Sequence, residues 1–518
     1  MKFPAPINVR SYIAATGAGA LSVTAFAPFG AWPLAHLALA LLFYLWSDAT
    51  PRGALALGWL FGFGLFSFGI FWVRISLGDN GGIPFPLAVL AALLLAAFLG
   101  LYPALAGWLA ARFSTPGSAQ RLLLAAPAAW VALEFLREYL LTGFPWLNLG
   151  YSQIDAPLAS LAPLFGVHGI TLALALSAGV LVELSRRVRK RQPRFVIALI
   201  ALLVTGGYLL QRPGNLSWTR PAGPAVSVAL LQAAIPQREK WQPENLVSTL
   251  AWYTRMTRVH EDADLILWPE SAVPAFAHEV EELLLAPLDS LAASTRTTLV
   301  LGLLVQEEDR YYNSLLSISA DASAQPRRDW YHKRHLVPFG EYFPLGWLWK
   351  DALSGVATLG EDFSPGPSTR PLLAVNGLQA GASICYEAVF GAEIADALPQ
   401  AAFLINVSND AWFGDSVGPP QHLEIARMRA LETGRYLLRA TNTGITAVVG
   451  PDGHIVHRLP QFEPGVLRAE IQPLAGSTGY VRWGSWPVAV MLAAMLLLSW
   501  VGRGRLFYHR GKKRGGTE

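Results

Sequence analysis

The sequence predicts a multi-span α-helical membrane domain joined to a separate layered α/β domain. The first observation is that 53% of the residues are hydrophobic and only 15% are charged, whereas soluble domains carry about 25% charged residues. The second is that the first 112 residues contain long stretches without formal charge, each sufficient for a span of about 20 residues. The third is that residues 213–482 hold most of the acidic side chains and several short β-like runs. The chain is long enough for two or three domains.

Seven candidate spans precede residue 212, and an eighth follows the α/β segment. A turn-like stretch with interfacial aromatic residues, 27–33, separates the first two spans. The first apolar stretch has no convincing cleavage site and leads into further apolar stretches, so it is interpreted as a retained helix. The predicted spans cover residues 12–28, 32–47, 54–74, 87–111, 121–140, 166–184, 195–211 and 486–501.

The basic residues predict the orientation. They cluster before the first span, between the fourth and fifth, between the sixth and seventh, and after the eighth. With eight spans all four clusters fall on one side, which the positive-inside rule identifies as the cytoplasm. We therefore expect a seven-span domain at 1–212, an extracytoplasmic domain at 213–482, and a last helix with a basic cytoplasmic tail at 483–518. The net charge of +4 predicts no nucleic-acid partner, because the basic residues lie beside apolar segments. A solvated loop would explain each cluster equally well.

The outward segment reads as buried strands mixed with helices. This mixture predicts a layered α/β domain that is large enough to bury its own core. No phosphate-binding glycine loop is present, and His332 and His335 have no further ligands nearby, so we expect no metal and no cofactor. The predicted strands are 226–231, 265–268, 298–302, 403–407 and 446–449, with a helix at 421–438.

Three short segments of this domain carry candidate reactive groups. Glu270 follows the apolar run 265–268, Lys333 lies in a His-Lys-Arg-His sequence, and Cys385 is the only cysteine of the chain. Carboxyl ends of strands are where open α/β sheets build sites. Each residue also has an ordinary explanation: a surface carboxylate, a solvated basic patch and a small buried core residue.

Together the three groups are suited to nucleophilic catalysis. A cysteine thiol has a pKa of about 8.5 and needs a nearby base or cation at neutral pH. Glu270 can supply the base and Lys333 the positive charge, if the fold brings them together. Thiolate attack on an ester gives an oxyanion, which Lys333 and backbone N–H groups near Cys385 can stabilise. Collapse to a thioester followed by attack of an amine is a two-step, ping-pong acyl transfer.

The motifs Pro-Glu, Lys-x-x-Leu-x-Pro-Phe-Gly-Glu and Cys-Tyr-Glu, in this order, resemble the nitrilase superfamily with its Glu-Lys-Cys triad. Residues 406–414 and 441–453 resemble it as well. Such a domain between seven spans and one span is similar to the bacterial apolipoprotein N-acyltransferase family, as are residues 143–153 and 232–241. The resemblance implies an αββα sandwich and a triad of Glu270, Lys333 and Cys385.

The resemblance also implies the substrates and the location. The acyl donor would be a phospholipid, with phosphatidylethanolamine expected, and the acceptor the α-amino group of the N-terminal diacylglyceryl-cysteine of an apolipoprotein. This would be the last step of lipoprotein maturation, in the bacterial inner membrane with the catalytic domain facing the periplasm. Residues that match functional positions of the family are Glu341, Glu387, Tyr386 and Trp241. The carboxylates could instead be structural, and the aromatic rings could simply pack.

Two other functions remain open at this point. A membrane-bound carbon-nitrogen hydrolase (an amidase) would use the same triad with water in place of the amine. A multi-span transporter or receptor with an outward binding domain is the alternative from another class. The aromatic stretch 342–349 could be a lid, an interfacial segment or core packing.

Overall fold

The computed structural model describes residues 8–189, 218–342 and 362–512, with side chains up to residue 188 in the first range and 503 in the last. The chain forms two compact units. The first unit contains residues 1–71, 89–216 and 483–518, and the second contains residues 72–88 and 217–482. The short N-terminal segment 72–88 is therefore grouped with the second unit, far from it in sequence.

The first unit is helical. Four of the helical stretches in the described residues are long and apolar enough to cross a membrane, namely Pro51–Gly69, Phe85–Arg112, Pro157–Val188 and Trp486–Arg503. Small residues let these helices approach closely: a Cβ atom on Gly107 would lie 2.5 Å from the carbonyl oxygen of Ala54. The α-helices are Val9–Ser22, Pro33–Trp46, Pro51–Gly69, Phe85–Leu99, Leu101–Arg112, Ala126–Tyr139, Ala162–Arg189 and Trp486–Lys512.

The prediction of a helical N-terminal region is confirmed. Helices lie at each predicted span within the described residues. Pro33–Trp46 is apolar but shorter than the four spanning candidates. The predicted span 195–211 lies outside the described residues.

The second unit contains two six-stranded sheets and a two-stranded one. One large sheet has the order β13-β2-β3-β4-β5-β6, the other has the order β12-β11-β10-β9-β8-β7, and β1 pairs with β14. The strands are β1 Thr219–Pro221, β2 Val226–Gln232, β3 Leu265–Leu267, β4 Thr298–Glu307, β5 Arg310–Ala320, β6 Pro326–His332, β7 Leu372–Val375, β8 Leu378–Ile384, β9 Phe403–Ser408, β10 Leu437–Thr441, β11 Ala447–Val449, β12 Ile455–Arg458, β13 Gly465–Ile471 and β14 Leu474–Gly476. All five predicted strands are present.

Side-chain alternation along the strands produces four layers. Val228 and Leu230 of β2 face the core that the two large sheets share, whereas Ala229 and Leu231 face a second core outside the first sheet. Leu404 of β9 faces a third core outside the second sheet. A period of two places alternate residues on opposite faces of a sheet. Helices cover the outer face of each large sheet, so the domain is an αββα sandwich. Its helices are Gln237–Lys240, Pro243–Val259, Ala286–Thr295, Gly391–Ala395, Gly418–Thr433 and Gly479–Trp483.

Each large sheet contains three adjacent strands that run parallel to one another. β2, β3 and β4 are parallel, and so are β8, β9 and β10. Carboxyl ends of parallel strands lie at one edge of a sheet. The segments that follow β3, β8 and β9 contact one another at this edge, as described below.

The segment 72–88 packs against a turn that follows β9. Ser76 Oγ donates a hydrogen bond to the carbonyl of Trp412 at 2.8 Å, and Asn80 Nδ2 donates to the carbonyl of Ala411 at 3.2 Å. The rings of Trp72 and Phe413 meet edge to face, 4.4 Å apart. The sequence predicts a span to residue 74, but the helix Pro51–Gly69 ends earlier. The segment 72–88 is therefore not part of that helix.

Candidate active site

Glu270 lies just after β3, in a tight turn. The turn passes over Gly302 of β4, where a Cβ atom would lie 2.4 Å from the carbonyl oxygen of Pro269. Only glycine fits at this close approach. Glu270 is 7% exposed, and its Oε2 accepts a hydrogen bond from the backbone N–H of Asn409 at 2.7 Å. Residues after β3 and after β9 are thereby joined.

Lys333 follows β6 and is buried, with 1% exposure. Its backbone N–H donates to the carbonyl of Asn313 on β5, which continues the β5–β6 ladder by one residue. Its Nζ lies 2.8 Å from Glu341 Oε1 and 3.6 Å from Glu270 Oε1. A buried ammonium group needs such partners.

Asn313 completes this polar cluster. Its Nδ2 donates to Glu270 Oε1 at 2.8 Å and to Glu341 Oε1 at 3.0 Å. Glu341 also accepts a hydrogen bond from the backbone N–H of Val337 at 2.8 Å. The two carboxylates are thus held on either side of one ammonium group and one amide.

Cys385 lies immediately after β8, where the chain turns into a short 3-10 helix, Cys385–Val389. Its φ angle is +52°, in the left-handed region that non-glycine residues seldom adopt. The side chain is partly accessible. Residues with such strained backbone angles cluster at functional sites.

Electrostatic effects link the thiol to the carboxylate and to the ammonium group. Loss of solvation raises the pKa of the Cys385 thiol, the Glu270 carboxylate raises it further, and Lys333 opposes both. For Lys333, burial alone would lower the pKa, but Glu341 and Glu270 together raise it above its ordinary value. The resting site therefore contains a neutral thiol and a charged lysine.

Glu387 ties the cysteine segment to the lysine segment. Its Oε1 accepts from the backbone N–H groups of Arg334 at 2.7 Å and His335 at 3.1 Å, and its Oε2 from that of Ile384 at 2.7 Å. The hydroxyl of Tyr331 donates to it as well, at 2.8 Å. The Glu387 carboxylate therefore holds the cysteine segment and the lysine segment together.

Tyr386 and Trp241 lie in different surroundings. The Tyr386 ring is buried and packs edge to face on Phe390, with centroids 5.3 Å apart. Trp241 follows the helix Gln237–Lys240 and is 46% exposed. Within the described ranges, Trp241 makes no hydrogen bond to Glu270, Lys333 or Cys385. Of the stretch 342–349, only Tyr342 lies within the described residues.

Lys240, Asn313 and Asn409 contact the site, although the sequence analysis did not select them. Lys240 is buried, and its Nζ donates to the backbone carbonyl of Glu270 at 3.1 Å. Burial lowers the pKa of Lys240 to about 8, and the charge of Glu270 offsets only part of that effect. Asn313 lies on β5, which also contains three serines, so the sequence offered no signal that distinguished it.

The αββα sandwich has the fold of the carbon-nitrogen hydrolase class, and a carboxylate, a buried ammonium group and a thiol follow its strands. The carbon-nitrogen hydrolase family model matches residues 227–480, and the model of the apolipoprotein N-acyltransferase N-terminal domain matches residues 18–180. A solved carbon-nitrogen hydrolase from Helicobacter pylori G27 aligns with a TM-score of 0.35 and 17% identity, over 48% of this chain and 89% of that chain.

Curated relatives match along nearly the whole chain. The apolipoprotein N-acyltransferase of Methylococcus capsulatus is 44% identical over 98% of this chain and 99% of its own. That of Azotobacter vinelandii is 43% identical over 94% of this chain and 93% of its own. That of Vibrio parahaemolyticus is 40% identical over 95% and 97%, respectively. The chain belongs to the apolipoprotein N-acyltransferase family.

Proposed function

We propose that this enzyme transfers an acyl chain from a phospholipid, through a thioester on Cys385, to the α-amino group of the N-terminal diacylglyceryl-cysteine of an apolipoprotein. The observation that carries the proposal is the convergence of Glu270, Lys333 and the Cys385 thiol. The chain that contains them is 44% identical, over 98% of its length, to an apolipoprotein N-acyltransferase. Phosphatidylethanolamine is the proposed donor.

The first half-reaction makes the thioester. Glu270 takes the proton of the Cys385 thiol, and the thiolate sulfur attacks the ester carbonyl of the phospholipid. The resulting oxyanion is stabilised by Lys333 and by backbone N–H groups next to Cys385. Collapse breaks the carbon–oxygen bond, and the leaving alkoxide takes the proton from Glu270. A lysophospholipid departs and the acyl group remains on sulfur.

The second half-reaction consumes the thioester. The α-ammonium group of the acceptor first loses a proton to solvent water, so that a neutral amine attacks the thioester carbonyl. Glu270 accepts the proton that the attacking nitrogen gives up, the carbon–sulfur bond breaks, and the Cys385 thiol is regenerated by that proton. The products are an amide and the free enzyme, and the cycle is ping-pong.

The surrounding residues are assigned supporting roles. Glu341 fixes the ammonium group of Lys333 through a 2.8 Å contact. Glu387 holds the backbone on both sides of the site, and Tyr386 positions the segment after the nucleophile by ring packing. Trp241 is exposed, which is compatible with contact to an apolar substrate chain.

The proposed membrane arrangement follows from the charge pattern. A seven-span domain at 1–212 and a last helix within 483–518 anchor the chain in the bacterial inner membrane, for eight spans in total. The catalytic domain at 213–482 then faces the periplasm. Four apolar stretches of sufficient length support membrane insertion. Both substrates are lipid-anchored, so a membrane-bound enzyme spares their acyl chains a passage through water.

Mass spectrometry tests the acyl transfer directly. We expect purified full-length protein incubated with phosphatidylethanolamine vesicles to gain one acyl group at Cys385, and a diacylated acceptor lipopeptide to remove it. Cys385→Ala leaves the chain without any thiol and serves as the matched control. Full activity of Cys385→Ala together with an unmodified wild-type enzyme would end the proposal.

Hydrolysis is the second candidate, favoured by the match to the carbon-nitrogen hydrolase model. The same triad would then pass the acyl group to water. Incubation of the acyl-enzyme with and without the acceptor lipopeptide separates the two reactions. Rapid release of free fatty acid without the acceptor, unchanged by its addition, would favour the hydrolase.

A further inference from the structure

A fully buried group of polar side chains lies beneath the nucleophile, and the steps above use none of them. Arg439 on β10 donates from Nη2 to Asp410 Oδ2 at 2.8 Å and lies 3.0 Å from Nδ1 of His422. Asp410 Oδ1 lies 2.9 Å from the same nitrogen. The Ser408 hydroxyl donates to Asp410 at 2.6 Å. All of these side chains are removed from solvent.

The surroundings of His422 define which nitrogen carries its proton. Nε2 lies 3.1 Å from the backbone carbonyl oxygen of Cys385, and a carbonyl can only accept a hydrogen bond. Nδ1 lies within reach of both the guanidinium group of Arg439, which can only donate, and the carboxylate of Asp410, which can only accept. Burial lowers the pKa of His422 and Arg439 lowers it further, whereas Asp410 opposes them. In either state of Nδ1, the contact with the Cys385 carbonyl requires a hydrogen on Nε2.

This hydrogen bond restrains the backbone at Cys385, whose φ angle is strained. The φ angle of Cys385 is +52°, which costs energy for a residue with a side chain. The peptide between Cys385 and Tyr386 is planar and trans, so its carbonyl and its N–H point in opposite directions. When His422 fixes the carbonyl on one side, it also fixes the direction of the Tyr386 N–H on the other.

We propose that His422 is a positioning residue: it orients the Cys385–Tyr386 peptide so that the Tyr386 N–H points at the oxyanion formed during acyl transfer. Asp410 and Arg439 hold the imidazole ring in place. The inference rests on the proposed function, since it requires Cys385 to be acylated. His422, Asp410 and Arg439 would then support the site from behind Cys385.

Two variants of equal length separate the hydrogen bond from the volume of the side chain. In His422→Gln, the amide nitrogen is four bonds from Cα, as Nε2 is, and can donate to the Cys385 carbonyl. In His422→Met, a similar volume carries no donor. Both are made in the full-length protein. Two rates are measured for each: acylation of Cys385 from phosphatidylethanolamine vesicles in a single turnover, and alkylation of Cys385 by iodoacetamide.

The two reactions make different demands on the site. Alkylation needs the thiolate but forms no oxyanion, and Cys385 is the only thiol that can react. We expect His422→Met to lower the acylation rate by about 10- to 100-fold, because a misdirected donor forfeits part of the effect of an oxyanion hole. Alkylation should change by no more than about twofold. His422→Gln should restore acylation to within about fivefold of the wild-type rate.

Three results would overturn the inference. One is equal acylation by the Gln and Met variants, and another is wild-type acylation by the Met variant. The third is a parallel loss of alkylation and acylation in both variants, which would indicate a role in folding alone. Absence of any acyl adduct on the wild-type enzyme would instead contradict the proposed function, so the two failures are distinguishable.

Discussion

At the scale of single residues, opposing charges act on the Cys385 thiol. Loss of solvation and the Glu270 carboxylate raise the pKa of this thiol, and the ammonium group of Lys333 lowers it. The thiol is therefore protonated at rest, which suits a general base that removes the proton only when an ester is bound. A permanently ionised thiolate would be more readily oxidised than a neutral thiol.

Alkylation by iodoacetamide measures these charge effects. Glu270→Gln removes the charge that raises the pKa of the thiol, so we expect faster alkylation at pH 7.5, by at least about threefold. Lys333→Met removes the charge that lowers it, so alkylation should slow by a similar factor. Acyl transfer should fall in both variants. In the wild type, the alkylation rate should still rise with pH above about 9, where an ordinary cysteine levels off.

The control for this prediction is Asp262→Asn. Asp262 is an exposed carboxylate that pairs with Arg468 on the surface, so its removal should leave the alkylation rate unchanged. Equal alkylation rates for the Glu270 and Lys333 variants would contradict the assignment of opposite charge effects.

Glu387 acts through backbone groups. Glutamine at this position retains one acceptor oxygen, but its NH₂ group faces donors, including the N–H of Ile384 at 2.7 Å. We expect Glu387→Gln to lower kcat by at least about tenfold, since hydrogen bonds to charged groups contribute about 1.5–3 kcal/mol. Tyr331→Phe removes only one donor and should have a smaller effect. Single-turnover acylation measures both, and a larger loss in the Tyr331 variant would refute this ranking.

The sequence signals reached some of these residues and not others. Glu270, Lys333 and Cys385 each follow a strand and carry recognisable neighbours, so motif order was sufficient to select them. Asn313 and Lys240 act through distances that depend on how β5 and the helix Gln237–Lys240 pack. Sequence separation carries no information about such contacts, because they arise only when the chain folds and brings β3, β5 and this helix together. The fold class followed from the charge-free apolar stretches and the short β-like runs, which are local signals.

At the scale of elements, the site depends on the meeting of loops from different strands. The loop after β9 supplies the Asn409 N–H that holds Glu270, and continues into the turn Asp410–Phe413. The segment 72–88 grips this turn through the carbonyls of Ala411 and Trp412. The segment 72–88 is therefore connected to the proposed general base, Glu270, through the loop after β9.

Removal of the hydrogen bonds from the segment 72–88 to this turn should weaken catalysis without unfolding the domain. We expect the double variant Ser76→Ala and Asn80→Ala to lower kcat by about 3- to 10-fold, since each hydrogen bond contributes about 1 kcal/mol. A matched pair is Asn245→Ala and Ser248→Ala, a partly exposed asparagine and an exposed serine that form local hydrogen bonds within the first turns of the helix Pro243–Val259. If both pairs behave alike in the acyl-transfer assay, the segment has no influence on the site.

At the scale of the whole molecule, a single cysteine makes the topology accessible to labelling. The predicted orientation sets residues 213–482 outside and the loop between the fourth and fifth spans inside. In a Cys385→Ala background, Ser323→Cys should react in intact spheroplasts with a membrane-impermeant maleimide. Ser118→Cys, in that loop, should react only after the membrane is permeabilised.

Both serines are partly or fully exposed within their own units, so accessibility of the introduced thiols is comparable. Labelling of Ser118→Cys in intact spheroplasts, or protection of Ser323→Cys, would overturn the proposed orientation. The wild-type protein is not suited to this test, because the raised pKa of its Cys385 thiol slows the reaction with maleimide.

The chain separation between the segment 72–88 and the turn that it grips has a consequence for biosynthesis. Asn80 leaves the ribosome 331 residues before its partner Ala411. At common elongation rates this is a delay on the order of tens of seconds. The nascent chain therefore carries one half of this contact long before the other half exists. The segment 72–88 can reach its partner only after residue 411 of 518 has been synthesised.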